Sequence, residues 1–315
     1  MKISVIIPAY NAERFISEAI QSCLNQTFAP HEIIVVDDGS SDRTAEIAES
    51  YAPLVNVIRL EKNVGVAEAR NRAIKASTGD WIAFLDADDY FLPEKLELQR
   101  RCALENPRAV LIYGSWRVIS VDGEESPGRF TPPSALMPML RFRCNLPLLC
   151  ILLRRDAVDS VGGFDASLRR CQDWDLWLRI AARFSVTSFA AVPEPLAIYR
   201  RVAGGLSYYA MPYFHQRAVI VAKGSCLFGL SGISRFLWRR RISAYNYFDT
   251  SETLREEHSF RCLPFMLMSF LVWPFPCHEM PNRWKIAIVM TLQTCERLCR
   301  SAMKVKKKEA IADGR

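Results

Sequence analysis

The apolar run Trp81-Ile82-Ala83-Phe84-Leu85 ends abruptly in Asp86-Ala87-Asp88-Asp89. A short, unbroken apolar run bounded by polar residues suits a strand buried on both faces, the kind found in parallel sheets covered by helices. Carboxylates that follow such a strand stand at the rim of the sheet rather than in its core. Two other segments repeat the plan. Ile3-Ser4-Val5-Ile6-Ile7 runs into Pro8-Ala9-Tyr10-Asn11, and Val35-Val36 runs into Asp37-Asp38-Gly39-Ser40.

Strands are expected near 3–8, 32–37, 54–60, 81–86 and 109–114, alternating with helices over about 13–25, 42–50, 66–77 and 93–104. This alternation predicts an α/β fold with a mostly parallel sheet flanked by helices. Ligands of open sheets lie beyond the carboxyl ends of the strands, so the loops after the first, second and fourth strands should converge. Val121 to Ser134, with Asp122-Gly123, Pro127-Gly128 and Pro132-Pro133, reads as an irregular loop. Beyond it come a strand near 148–154, a turn at Gly162-Gly163-Phe164-Asp165, a helix over about 172–183, and short strands near 185–190 and 196–201. After Ser207 the chain turns to helices rich in aromatic and basic residues, so the expected division is a sheet domain over 1–207 and a helical C-terminal module over 208–315. No internal repeat is visible.

At 315 residues and 50% hydrophobic composition, the chain can bury a full core. Its net charge of +7 is uneven: residues 1–110 carry 12 basic and 17 acidic side chains, the remainder 29 and 17. The front of the chain therefore suits cations and the back suits anionic surfaces. Ten cysteines without regular spacing, several inside apolar runs (Cys150, Cys226, Cys262), read as reduced, buried thiols of a cytoplasmic protein. Cys295 and Cys299 with Cys277 or His278 lack a second ligand pair at zinc-site spacing. Strand begins almost at Met1, so no targeting segment is expected. Cys262 to Cys277 is uncharged but short for a span and interrupted by Pro264, Pro274 and Pro276.

Asp86 and Asp88 offer the hard oxygen ligands that Mg²⁺ or Mn²⁺ prefers, and Mg²⁺ is commonly held by one or two carboxylates plus substrate phosphates. A nucleoside diphosphate is thus the natural ligand to expect. The plainer alternative is a solvated turn or a helix N-cap, which Asp favours on backbone grounds alone.

Five motifs in order now carry a resemblance. They are Val5 to Asn11; Val36-Asp37-Asp38-Gly39-Ser40-Ser41-Asp42; Asn63-Val64-Gly65-Val66-Ala67 with Ala69-Arg70-Asn71; Gly79-Asp80 leading into Leu85 to Asp89; and Gly162 to Asp165 followed by Gln172-Asp173-Trp174-Asp175-Leu176-Trp177. Over about residues 1–207 the chain resembles family 2 glycosyltransferases of the GT-A (Rossmann-like) fold. The resemblance implies a nucleotide-binding half over 1–115 and an acceptor and catalytic-base half over 135–207. It implies a nucleotide-sugar donor, a UDP-sugar first, with a divalent metal, Mn²⁺ or Mg²⁺, and an inverting transfer of one sugar to a hydroxyl of a glycan or lipid-linked acceptor in cell-surface polysaccharide biosynthesis.

By the same resemblance Pro8, Tyr10, Asp38 and Asn63 line the nucleotide pocket, Tyr10 stacking on the base and Asp38 accepting a base N–H. Asp86 would contact the ribose, Asp88 would coordinate the metal, Asp89 would cap the following helix, and Asp173 would be the general base, with Asp175 as its fallback. Arg70 and Asn71 either reach the nucleotide or form a polar helix face. Trp174 and Trp177 either bracket a sugar or pack in the core. Two departures stand out: Gln172 replaces a Glu usual before the base, and Val202 replaces a His that often completes the metal site after Tyr-Arg. Arg200 or Arg201 then becomes a candidate for the diphosphate, weighed against a surface ion pair.

Phe236-Leu237-Trp238-Arg239-Arg240-Arg241 and Lys304 to Lys308 set basic clusters beside apolar ones, which suits either an anionic membrane surface or a packed helical lid with a basic rim. The expected location is the cytoplasm, peripheral on the cytoplasmic face of the membrane. Nucleic acid is not an expected partner, since no binding motif accompanies the basic residues. Other readings are a catalytically silent nucleotide-sugar-binding module, disfavoured by the retained acids, and a nucleotidyltransferase, disfavoured because Pro8-Ala9-Tyr10-Asn11 is no Gly-rich cradle. A dehydrogenase is disfavoured by the missing Gly-x-Gly-x-x-Gly.

Overall fold

The computed structural model describes residues 1–128, 130–140, 144, 146–202, 220, 223, 224, 227, 229, 231–256 and 262–272. The chain divides into two compact units, Met1–Tyr208 and Tyr209–Arg315. In the first, β1 (Ile3–Ala9) is buried along its whole length. It lies between two parallel neighbours, β2 (Glu32–Asp37) and β4 (Trp81–Phe84), and β3 (Asn56–Arg59) extends the parallel set beyond β2. Helices α1 (Ile16–Leu24), α2 (Thr44–Glu49) and α3 (Val66–Ala76) connect these strands. Their Ala- and Ile-rich inner faces, such as Ile16, Ala19 and Ile20 on α1, close over β1 and β2.

Beyond β4 the sheet is mixed. The three-residue β8 (Leu152–Arg154) pairs antiparallel with both β4 and β6 (Leu111–Ile119), β9 (Phe189–Arg200) runs parallel to β6, and β5 (Tyr90–Phe91) closes the edge antiparallel to β9. The parallel half is the one expected. In the other half the chain between β6 and β8 holds the short hairpin strand β7 (Glu125–Pro127), inside the loop expected over Val121 to Ser134, and α5 (Pro133–Leu140), which begins at the end of that loop. Helix α4 (Lys95–Glu105) falls close to its expected place. The two strands expected near 185–190 and 196–201 are one, β9. Pro193 and Pro195 lie within it; the ladder shifts register between Gly114 and Arg117, and such an irregularity accommodates prolines inside a strand. The strand expected from 148 opens as a 3₁₀ turn, Leu148–Cys150. Two further helices, α6 (Arg155–Ser160) and α7 (Gln172–Phe184), complete the unit.

Lys95 is 0% exposed. Its Nζ donates to Gln99 Oε1 at 2.7 Å and lies 4.2 Å from the Phe91 ring centroid, while Gln99 Nε2 donates to the carbonyls of Ile112 and Cys150 at 3.2 and 2.9 Å. Burial pushes the Lys95 ammonium down to about 7. The nearby thiols Cys23 and Cys150 are buried and raised above the ordinary range, the behaviour of inert packing groups.

In the second unit α8 (Gly232–Glu256) and α9 (Cys262–Val272) pack on each other. Ile242, Ala244, Tyr245 and Met266 are buried there. No helix among the described residues is long and apolar enough to cross a membrane. Lys304 to Lys308, and the cysteines and histidine between 277 and 299, lie outside the described residues.

Candidate active site

The carboxyl ends of β1, β2 and β4 meet as one rim. Asp38 N–H donates to the Ala9 carbonyl at 2.8 Å, Asn11 N–H to Ser40 Oγ at 2.9 Å, and Ser41 N–H to Asn11 Oδ1 at 2.9 Å, so the first two loops are stitched together. Gly39 turns between them at φ +71°, where a Cβ would stand 2.7 Å from the Lys62 carbonyl carbon and 2.8 Å from Asn63 N. Gly39→Ala combines a left-handed backbone with a clash against main chain. It is expected to lower stability by about 2 kcal/mol, read from the urea midpoint.

Pro8 is buried within β1, Asn63 is exposed, and Tyr10 presents a ring that is 52% exposed. Asp38 is buried, its two oxygens accepting the N–H groups of Val64 and Gly65 at 2.8 and 2.9 Å. The side chain thus anchors the entry to α3. Each of its oxygens keeps a further lone pair for a donor on a ligand.

Arg70 on α3 is buried and spans the crevice. Its guanidinium donates to Asp86 Oδ1 and, at 3.3 Å, to Gln172 Oε1, and lies 5.4 Å from the Phe164 ring centroid. It joins the acidic loop after β4 to the start of α7, a brace rather than a polar helix face. Asn71 is committed elsewhere: it exchanges two hydrogen bonds of 2.8 Å with the Phe164 backbone, fixing the Gly162–Asp165 turn.

Asp86 and Asp88 are half-buried. Burial first, and then the charge of Asp86, push the Asp88 carboxyl up to about 6, against the opposing pull of Arg200. Asp89 does not cap α4. It is buried, and its Oδ1 accepts the Arg200 N–H at 2.8 Å, tying the acidic loop to the end of β9. The Arg200 guanidinium pairs with Glu18 at 2.7 Å and lies over the rings of Phe15 and Tyr90, so the ion-pair reading of this residue is the one realised here. Arg201 is exposed and Val202 half-buried.

Asp173 sits in the first turn of α7, half-buried, with Oδ1 accepting the Trp174 N–H at 2.8 Å and Oδ2 accepting from the Cys144 thiol at 3.5 Å. Burial raises its carboxyl above the ordinary range; the Trp174 N–H, Arg70 and the thiol pull the other way, and Asp86 adds to the rise. Asp173 therefore feels both Arg70 and Asp86, and belongs to the same crevice as the acidic loop. Asp175 does not: it is 1% exposed and paired with Arg179 at 2.7 Å. The tryptophans are core residues, not a sugar bracket. Both are buried, and their indole N–H groups donate to the carbonyls of Leu140 and Leu146.

Cys144, Phe164 and Glu18 contribute contacts that the sequence did not announce. Cys144 is 29 residues from its partner Asp173 and Glu18 is 182 from Arg200, so neither spacing carries a signal. Among the described residues no three His, Cys, Asp or Glu side chains form a ready metal cage. A cation shared with phosphates needs no such cage, and the mutual repulsion of Asp86 and Asp88 is what a divalent ion would relieve.

Comparisons with known proteins agree with this geometry. The sequence profile of Glycosyl transferase family 2 matches residues 4–161. The chain is 35% identical over 180 residues to the Escherichia coli UDP-Glc:alpha-D-GlcNAc-diphosphoundecaprenol beta-1,3-glucosyltransferase WfgD, covering 56% of this chain and 69% of that protein. It is 31% identical over 214 residues to the putative teichuronic acid biosynthesis glycosyltransferase TuaG of Bacillus subtilis, covering 65% and 81%. Among the curated relatives the share of the other protein that is spanned falls as low as 26%. The mannosyltransferase PcManGT of Pyrobaculum calidifontis, solved with GDP-Man and Mn²⁺, superposes with a TM-score of 0.54 at 17% identity, covering 94% of this chain and 86% of that one. That likeness shows the fold, a mixed sheet with flanking helices of the GT-A type. With its profile matched over half the chain and its acids gathered at the rim of that sheet, the chain belongs to glycosyl transferase family 2.

Proposed function

We propose that this enzyme is an inverting, metal-dependent glycosyltransferase that moves one sugar from a nucleotide-diphosphate sugar, a UDP-sugar first, to a hydroxyl of a glycan or lipid-linked acceptor in cell-surface polysaccharide biosynthesis. It would act in the cytoplasm, at the face of the membrane. One observation supports the reading: Arg70 bonds both Asp86 in the acidic loop and Gln172 at the start of α7, and Asp173, which follows Gln172, feels the charges of Arg70 and Asp86. Similarity to WfgD, a UDP-Glc glucosyltransferase acting on a diphosphoundecaprenol-linked sugar, supports a nucleotide-sugar donor and a lipid-linked acceptor, and similarity to the putative teichuronic acid biosynthesis enzyme TuaG supports a role in cell-surface polysaccharide biosynthesis.

In this reading Tyr10 stacks on the base, Pro8 and Asn63 border it, and Asp38 accepts from it. Asp86 takes the ribose, and Asp88, with the diphosphate, would hold the cation. A bound Mn²⁺ or Mg²⁺ supplies Lewis-acid stabilisation of the charge that develops on the departing diphosphate. Asp173 does the rest of the chemistry. The acceptor oxygen bonds to the anomeric carbon as the bond to the diphosphate oxygen breaks, and the hydroxyl proton passes to Asp173. Its raised proton affinity makes it a stronger base than an ordinary carboxylate. Arg200 contributes positive charge near Asp88 from its seat on Glu18.

The test is a thermal-shift panel of nucleotide sugars with and without Mn²⁺, since a bound donor raises the melting temperature with its affinity. The wild type should show a donor shift enlarged by Mn²⁺. Asp88→Ala should lose the enlargement and keep the metal-free shift. Tight donor binding with neither transfer nor donor hydrolysis in the wild type would turn the reading to a silent binding module.

A further inference from the structure

Helix α9 carries no charged side chain from Cys262 to Val272. One face of it, with Met266 and Ser269, is buried. The opposite face repeats at helical spacing as Pro264, Leu267, Met268 and Leu271, all exposed, Leu271 by 71%. Beside it the first turns of α8 are exposed at every described position, and Ile233, Phe236 and Leu237 stand in water, Ile233 by 76%. Arg240 joins the two helices: its Nε donates to the Val272 carbonyl at 3.0 Å while its guanidinium lies 5.7 Å from the Phe236 ring centroid. The exposed apolar rows thus meet beside Arg240, and its exposed neighbour Arg239 adds a second cation. A soluble surface rarely leaves so many large apolar side chains together without a partner.

We propose that this face of the second unit docks on a lipid bilayer carrying anionic headgroups. Charge complementarity selects the occupant. Apolar side chains bordered by arginines, with no acidic residue from Gly232 to Tyr247 or on α9, match an acyl interior beneath phosphate headgroups, whereas a second copy of the chain would set arginine against arginine. At 11 residues α9 is about 16 Å long, roughly half of a hydrocarbon core. It lies in the interface and does not span it. The inference stands apart from the sugar-transfer reading, because no residue of the crevice takes part in it.

The experiment is co-sedimentation of the full chain with vesicles of phosphatidylcholine alone and of phosphatidylcholine mixed with phosphatidylglycerol. Binding is expected to the mixed vesicles only and to weaken as salt is raised. Leu271→Glu should reduce it at least about tenfold by placing a charge in the apolar face, and Arg239→Glu should reduce it about as much by reversing a headgroup contact. Both sites are exposed, and an unchanged melting temperature checks that each variant folds. Equal binding to neutral vesicles, or full binding by both variants, overturns the proposal. So does an absence of binding to either vesicle. A dimer that Leu271→Glu dissolves, without vesicle binding, would assign the face to a second copy instead.

Discussion

Asp173→Asn should lower the turnover of sugar transfer by about a thousandfold, within the range by which a positioned base accelerates such reactions. The donor's thermal shift and KM should change little. The substitution is nearly isosteric, and the amide oxygen can still accept the Trp174 N–H that seats the side chain at the start of α7. What it removes is the ability to hold a proton. Among the described residues no other carboxylate of α7 is placed to compensate: Asp175 is buried and paired with Arg179, and position 172 is an amide bonded to Arg70. A variant that keeps full turnover would remove Asp173 from the reaction. One that loses donor binding as well would make it a structural residue.

Lys95→Met should stabilise the first unit by about 2 kcal/mol at neutral pH, raising its melting temperature by several degrees. A lysine that titrates at 10.5 when solvated is held at about 7 inside the fold. Between those values the unfolded chain binds more protons than the folded one, so stability rises with pH across that window. Below about pH 7 the penalty is fully present, and at neutral pH it amounts to about 4 kcal/mol. Methionine fills a similar volume without the charge, but Gln99 Oε1 loses its donor, which returns about 2 kcal/mol of the gain. Denaturant unfolding from pH 7 to 10 checks both parts. The wild type should gain stability along the series and Lys95→Met should not follow it. Parallel curves would mean that Lys95 keeps its charge in the fold, with a contact that solvates it.

The parallel half of the sheet was legible because β1, β2 and β4 are runs of apolar residues with acids or turns at their ends, and period and punctuation agree there. The bulged β9 was not, because proline signals a break in a local reading and only its partner β6 shows the strand to be continuous. At the site, the motifs identified which residues to watch but not what holds them. Arg70 read equally as a ligand contact or as a solvated face; its burial between Asp86 and Gln172 depends on a partner 102 positions away. Trp174 and Trp177 were ambiguous for the same reason, since a tryptophan at helical spacing serves a core or a sugar equally well until its N–H finds an acceptor. The Asp89 bond to Arg200 crosses 111 positions and leaves no local trace.

The shared cation has one last consequence. Arg70 answers to Asp86 on one side and lowers the proton affinity of Asp173 on the other. Whatever alters the field around the first carboxylate therefore retunes the second, without any movement of the backbone. In the proposed reaction the basicity of Asp173 would follow what occupies the nucleotide side, and kcat and kcat/KM are expected to show different pH profiles.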